Sequence, residues 1–117
     1  MAVHGIVVCH SSDLWHQKLE EATVEQRLVV VAFKATWCGP CRMMAPVFAE
    51  LSRKFSQAIF LKIDVDEMQD IASQWNVQAM PSFIIIKDSK ELERIVGANK
   101  EELEKRIAFH IENFDRN

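Results

Sequence analysis

Apolar positions fall into blocks whose spacing switches between about two and about 3.6 residues, the two periods that separate strand from helix. Val3 to Val8 is a short valine-rich run and predicts a strand. Ser11-Ser12-Asp13 offers helix-capping residues, and Leu14, Lys18/Leu19 and Ala22 follow at helical spacing. Leu28 to Phe33 is apolar throughout and centred on valine, the pattern of a strand buried on both faces. A helix is predicted from near Cys38 to about Phe55. Ile59 to Val65 predicts a third strand, and Asp66-Glu67 opens a short helix carrying Ile71 and Trp75 one turn apart. Ser82 to Ile86 is a fourth strand, again apolar on both faces. Asp88-Ser89 reads as a hairpin turn into a fifth strand over Leu92 to Val96. Asn99 begins the last helix, with Glu102 at the capping-box position and Leu103, Ile107, Ile111 and Phe114 as its apolar stripe.

The resulting order is β-α-β-α-β-α-β-β-α. Strands alternating with helices imply a mostly parallel sheet covered on both faces. The last two strands, joined by a tight turn, must be antiparallel. The expected fold is a small three-layer α/β sandwich, a central mixed five-stranded sheet flanked by four helices. No repeat, low-complexity stretch or Gly/Ser/Pro-rich linker interrupts it, so residues 1–117 read as a single domain.

Composition narrows the function classes. About half of the 117 residues are hydrophobic, enough to bury a core without covalent staples. The net charge is −3 and the basic residues are dispersed, Arg53-Lys54 and Lys105-Arg106 being pairs. That is no electrostatic footprint for nucleic acid or an anionic membrane. No apolar run approaches the length of a membrane span. Met1-Ala2-Val3-His4-Gly5 lacks the basic and apolar regions of a signal peptide, and Ala2 is not the glycine that myristoylation needs. The three cysteines, Cys9, Cys38 and Cys41, are too few, and odd in number, for a secreted disulfide scaffold. A reducing, cytoplasmic setting is expected.

Two of those cysteines sit where a buried strand hands over to a helix, in Trp37-Cys38-Gly39-Pro40-Cys41. Free backbone N–H groups and the helix dipole favour negative charge at a helix N-terminus. A cysteine there has a stabilised thiolate, and the thiolate is the nucleophile of disulfide exchange. The spacing brings Cys41 about one helical turn beyond Cys38, so the sulfurs can bond. Gly39 permits the tight geometry, and Pro40 suits a first helical turn, where its missing N–H has no partner. Arg42 adds positive potential. On this reading Cys38 attacks first and Cys41, pointing inward and shielded, resolves the mixed disulfide. Two blander readings compete: a zinc site drawing on Cys9, His4, His10, His16 or His110, and a pair of unreactive core cysteines. The strand–Cys-x-x-Cys–helix context favours redox chemistry and no metal.

With Ala35-Thr36 before this segment and Arg42-Met43-Met44-Ala45-Pro46 after it, and with Lys62-Ile63-Asp64-Val65-Asp66, Met80-Pro81-Ser82-Phe83 and Val96-Gly97-Ala98 further on, the chain resembles thioredoxin. More narrowly it looks like the plant cytosolic h-type, to which Val8-Cys9-His10 is also similar. The resemblance covers nearly the whole chain. It implies the thioredoxin fold and a dithiol protein-disulfide reductase with no bound cofactor; the chain carries no dinucleotide-binding fingerprint. It implies that Pro81 is a cis-proline facing the disulfide, where the blander reading is a strand-start proline. It implies that Met80 offers its backbone to a substrate strand, and that Trp37, Val65, Ala79, Val96, Gly97 and Ala98 complete an apolar docking groove for many partners. Those partners are disulfide-containing proteins, with an NADPH-dependent thioredoxin reductase, or glutaredoxin and glutathione, as electron donor. Pro46 should kink its helix, and Trp75 reads as core.

The pattern breaks in three places. The family carries a buried aspartate six residues before the nucleophilic cysteine, and Ala32 stands there. Alanine takes no proton, and Lys62, the aspartate's neighbour in the family, loses its partner. Resolution by Cys41 should slow without being abolished. A redox-governed binding module, holding its partners for long, is the rival this substitution favours. Lys34 stands where many thioredoxins carry an aromatic or small polar residue. Ser89 stands where glycine is common, at some cost if the turn needs φ > 0. Cys9 is either a small apolar residue closing the first strand or, if its sulfur is exposed, a regulatory thiol that links two otherwise monomeric chains or accepts glutathione.

Overall fold

In a computed structural model that describes residues 5–116, the predicted strands assemble into one five-stranded sheet. The strands are β1 (Ile6–Val8), β2 (Val29–Lys34), β3 (Ile59–Asp64), β4 (Ser82–Lys87) and β5 (Lys90–Val96), in the order β1-β3-β2-β4-β5. The helices are α1 (Ser12–Glu25), α2 (Gly39–Lys54), α3 (Gln69–Gln74) and α4 (Lys100–Glu112), followed by a 3₁₀ turn over Phe114–Arg116. Among the described residues no helix is long and apolar enough to cross a membrane.

The sheet is less parallel than the element order suggests. β1, β3 and β2 are parallel, but β4 runs antiparallel to β2 as well as to β5. Helix length accounts for the reversal. With 14 and 16 residues, α1 and α2 are each about 21 Å or more long, enough to return the chain past a six-residue strand of about 20 Å. Six-residue α3 covers only about 9 Å, so the chain enters β4 from the opposite end.

Element boundaries moved for local reasons. β1 is described from Ile6; Val3 and His4 lie outside the described residues. α3 starts at Gln69 because the Asp64 carboxylate accepts the N–H groups of Asp66 (2.9 Å) and Glu67 (3.4 Å), which holds both in a turn. β5 starts at Lys90, directly after a two-residue turn in which Asp88 and Ser89 have φ of 53° and 63°. Both central residues are left-handed, the geometry that suits a tight hairpin and that Ser89 meets at a higher conformational cost than glycine. α2 runs on through Pro46, and Phe114 belongs to the terminal 3₁₀ turn.

Each face of the sheet has its own core. Val29, Val31 and Phe33 of β2 face Trp15 and Leu19 of α1 and Ile71 of α3. Val30 and Ala32 face Phe48 and Leu51 of α2 and Leu103 and Ile107 of α4. The helical spacing singled out Leu14, which is half-buried; the fully buried neighbour is Trp15. Its ring meets those of Phe33 and Trp75 edge-on, with centroids 6.3 and 5.8 Å away.

Capping residues act as expected at both ends of the chain. Ser11 Oγ accepts the Leu14 N–H at 3.1 Å, and Asn99 Oδ1 accepts the Glu102 N–H at 3.1 Å. Asn99→Ala therefore costs about 1 kcal/mol. Urea unfolding should show a lower midpoint with an unchanged slope.

Candidate active site

β2 ends at Lys34, and four residues later Cys38 becomes the N-cap of α2. Its Sγ accepts the Cys41 N–H at 3.2 Å, as a serine or aspartate oxygen does at an ordinary cap. The loop is pinned by Cys38 N–H to the Ala35 carbonyl (3.2 Å) and by the Arg42 guanidinium to the Thr36 carbonyl (2.8 Å). Cys38 and Cys41 form a disulfide, with Cα atoms 5.3 Å apart. Ala35, Cys38 and Cys41 make a small buried cluster against which Val65 and Met80 pack.

Two parts of the sequence reading change here. Exposure does not rank the cysteines: Cys38 is 5 % exposed and Cys41 8 %. What differs is their surroundings. Cys38 caps the helix, where negative charge on sulfur is stabilised, while Cys41 lines a pocket behind the disulfide. Nor is Gly39 needed for tight geometry. A Cβ there would meet nothing nearer than the Arg42 guanidinium at 3.9 Å, and its φ is not left-handed. Pro40 does occupy the first turn of α2.

Around the disulfide, Trp37 is 65 % exposed and its indole N–H donates to the Asp66 carboxylate at 3.0 Å. The Met80–Pro81 bond is cis. Pro81 is buried, and its carbonyl accepts the N–H of Gly97 (2.8 Å), which has φ 104°. That bond ties the loop before β4 to the residue after β5. Met80 and Val65 are half-buried, and Ala79, Val96 and Ala98 are exposed. Asp66 is the neighbour that sequence reasoning missed. The sequence marks it as a helix start and as part of the thioredoxin-like Lys62–Asp66 segment, and nothing local to it signals a partner 29 residues away.

Behind the disulfide, sheet register sets Lys62, Ala32, Phe83 and Ile95 side by side across four strands. The small Ala32 side chain leaves a pocket of about 290 Å³ between this row and α2, lined also by Cys41, Met44, Phe48 and Pro81. Burial, and secondarily the Lys34 charge, lower the Lys62 ammonium below its ordinary pKa. Lys34 itself reaches the Asp64 carboxylate at 3.8 Å.

Cys9 belongs to the core. It is 0 % exposed, packs in the α1 side of the sheet, and burial pushes its thiol up to about 11. Cys9 is therefore the small apolar residue closing the first strand and not an exposed regulatory thiol, and its buried sulfur offers no surface for a Cys9-linked dimer. The oxidised, folded protein should titrate almost no thiol with an aromatic disulfide reagent. Denaturation should then release the one free cysteine per chain. Among the zinc candidates, His10 contacts the Glu67 carboxylate and His110 that of Glu93, while His4 lies outside the described residues. No group of three or more His, Cys, Asp or Glu among the described residues is arranged to hold a metal ion.

A disulfide closed across the first turn of a helix that leaves a central strand, beside a cis-proline, defines a dithiol–disulfide oxidoreductase. The thioredoxin family model matches residues 6–109. A thioredoxin H-type of Picea mariana is 54 % identical over 108 residues, covering 92 % of this chain and 86 % of the relative. Thioredoxin H1 of Arabidopsis thaliana is 46 % identical, covering 91 % and 93 %. The crystal structure of thioredoxin NaTrxh from Nicotiana alata superposes with a TM-score of 0.88 at 46 % identity, over 94 % of this chain and 96 % of that one. The chain belongs to the thioredoxin family, protein-disulfide oxidoreductases that act on disulfide-containing targets and are reduced by thioredoxin reductase.

Proposed function

We propose that this chain, as a single thioredoxin domain over residues 1–117, reduces protein disulfides in two unequal steps. First, the Cys38 thiolate attacks one sulfur of the target disulfide. A Cys38–target bond forms, the target S–S bond breaks, and the electron pair leaves on the second target sulfur, which takes a proton. Cys41 then gives up its proton and attacks Cys38 Sγ. The target leaves as a dithiol, carrying two electrons, and the chain is left with the Cys38–Cys41 disulfide. The observation that carries this reading is the Cys38 sulfur at the cap of α2, accepting the Cys41 N–H. The second step is the slow one, because Ala32 supplies no proton acceptor beside Cys41.

The target docks as an extended segment over Trp37, Val65, Ala79, Met80, Pro81, Val96, Gly97 and Ala98. Its backbone pairs with Met80, which imposes little sequence preference and suits many partners. Trp37 and Val96 supply exposed apolar surface for it. Gly39 adds no side chain of its own at the start of α2. The chain works as a monomer in the cytoplasm and draws electrons from an NADPH-dependent thioredoxin reductase, with glutaredoxin and glutathione as the alternative donor.

A coupled assay tests this. NADPH consumption with insulin as target should depend on this chain and proceed steadily with one of the two donor systems. No consumption with either donor, from protein that dithiothreitol reduces, would overturn the reading. Ala32 favours a second reading, a binding module that retains its targets. Stable mixed disulfides with insulin in place of turnover would select it.

A further inference from the structure

The pocket behind Cys41 has features that disulfide exchange does not use. Its volume, about 290 Å³, is about ten times the share of one water in the liquid. Most of its wall is apolar: Ala32, Ala35, Met44, Phe48, Pro81 and Phe83. Its charged lining is one-signed, with Lys34, Arg42 and Lys62 and no carboxylate. Two of those cations are already engaged, Lys34 by Asp64 and Arg42 by the Thr36 carbonyl. The Lys62 ammonium has no hydrogen bond or ion pair among the described residues, and it stands in a cross-strand row with Ala32 and Phe83. A half-buried cation without a counter-charge is costly, and the cost is relieved by an anion that brings apolar surface with it.

We infer that this pocket is a binding site for a small aliphatic monocarboxylate, its carboxylate on Lys62 and its chain against Ala32, Phe48 and Phe83. A neutral molecule of the same shape leaves Lys62 unpaired. An inorganic oxyanion leaves the apolar wall uncovered. Lys62, the one lining cation without a partner among the described residues, matches one negative charge. A bound carboxylate would also lie beside Cys41, where it can take the thiol proton during release of the target. This consequence, unlike the binding itself, rests on the slow second step proposed above.

Binding is measured first, on the oxidised protein labelled with ¹⁵N. Butyrate is titrated at fixed pH and ionic strength, with butyramide as the neutral isostere. Saturable shifts of the Ala32, Cys41, Lys62 and Phe83 amides are expected, in the millimolar range suited to a ligand of about six heavy atoms. Butyramide should bind about fivefold more weakly, the scale of one partly solvated ion pair. Lys62→Met should abolish that preference, and Ala32→Leu should abolish binding by filling the space. Absent or non-saturating shifts in the wild type overturn the inference, as does an equal response to butyramide; both outcomes are independent of any variant. A second measurement follows release of a target from the Cys38 mixed disulfide, which butyrate should accelerate with the same saturation constant. Binding without acceleration supports the pocket and overturns the claim that deprotonation of Cys41 limits release.

Discussion

Cys38→Ser reduces no disulfides above the uncatalysed rate, and Cys41→Ser stays covalently attached to the targets it attacks. The two outcomes differ because the two sulfurs stand in different surroundings. Cys38 accepts a backbone N–H from the first turn of α2 and sits at the positive end of that helix. Negative charge on its sulfur is stabilised there, and the thiolate is the attacking species. A serine hydroxyl in the same place stays protonated and cannot form the covalent intermediate. Cys41 faces the pocket with Ala32 and Phe48 and follows in the second step. Its removal leaves the first step intact, so the mixed disulfide then decays on the minutes-to-hours scale of uncatalysed exchange. Mass spectrometry of each variant after mixing with insulin separates them: no adduct for Cys38→Ser, one insulin molecule per protein for Cys41→Ser. Normal turnover by Cys41→Ser, or an adduct on Cys41 in Cys38→Ser, would reverse the assignment.

The element order, the position of the Cys-x-x-Cys segment and the Ser11 and Asn99 caps were legible because their signals are local. Runs such as Val29–Lys34 and Ser82–Lys87 are apolar enough to be strands whatever surrounds them. The reversal of β4 depends on how far a six-residue helix can carry the chain, a comparison of lengths that apolar periodicity does not make. The burial of Trp15 and Cys9 depends on the sheet face α1 covers, since one step around the helix from Leu14 decides which side chain points inward.

The site divides along the same line. Cys38, Cys41 and Pro81 could be named from motifs. The indole–carboxylate contact of Trp37 with Asp66 and the pocket behind Cys41 could not, because both join separate strands or loops. Ala32 is the informative intermediate case. The residue can be named from the sequence, yet only the register, with Lys62 on one side and Phe83 on the other, says what surrounds it.

Ala32→Asp should speed release of the target from the Cys38 mixed disulfide by about 100-fold at neutral pH, the lower end of the usual range for general base catalysis. An ordinary thiol is only about 3 per cent thiolate at pH 7, so a proton acceptor beside Cys41 has much to gain. The acceleration should be present above the new carboxyl's pKa and fade as pH falls through it, because only the carboxylate accepts a proton. The same substitution should cost about 1–3 kcal/mol of stability, from burying a polar group where alanine was. Lys62 limits that cost. Its pKa is held down by burial and by Lys34, so protonated Lys62 disfavours the folded state at neutral pH, a penalty that disappears as pH rises through its folded value toward the unfolded one. A carboxylate at residue 32, the next position in register, pairs with that ammonium and removes part of the penalty. The opposing outcome is that Met44, Phe48 and Phe83 have packed around alanine, so that aspartate disturbs the core and release together. Single-turnover release measured across pH, alongside thermal melts of the same samples, distinguishes the two. A folded variant with a lower melting temperature and an unchanged release rate would show that Cys41 loses its proton by a route in which Ala32 takes no part.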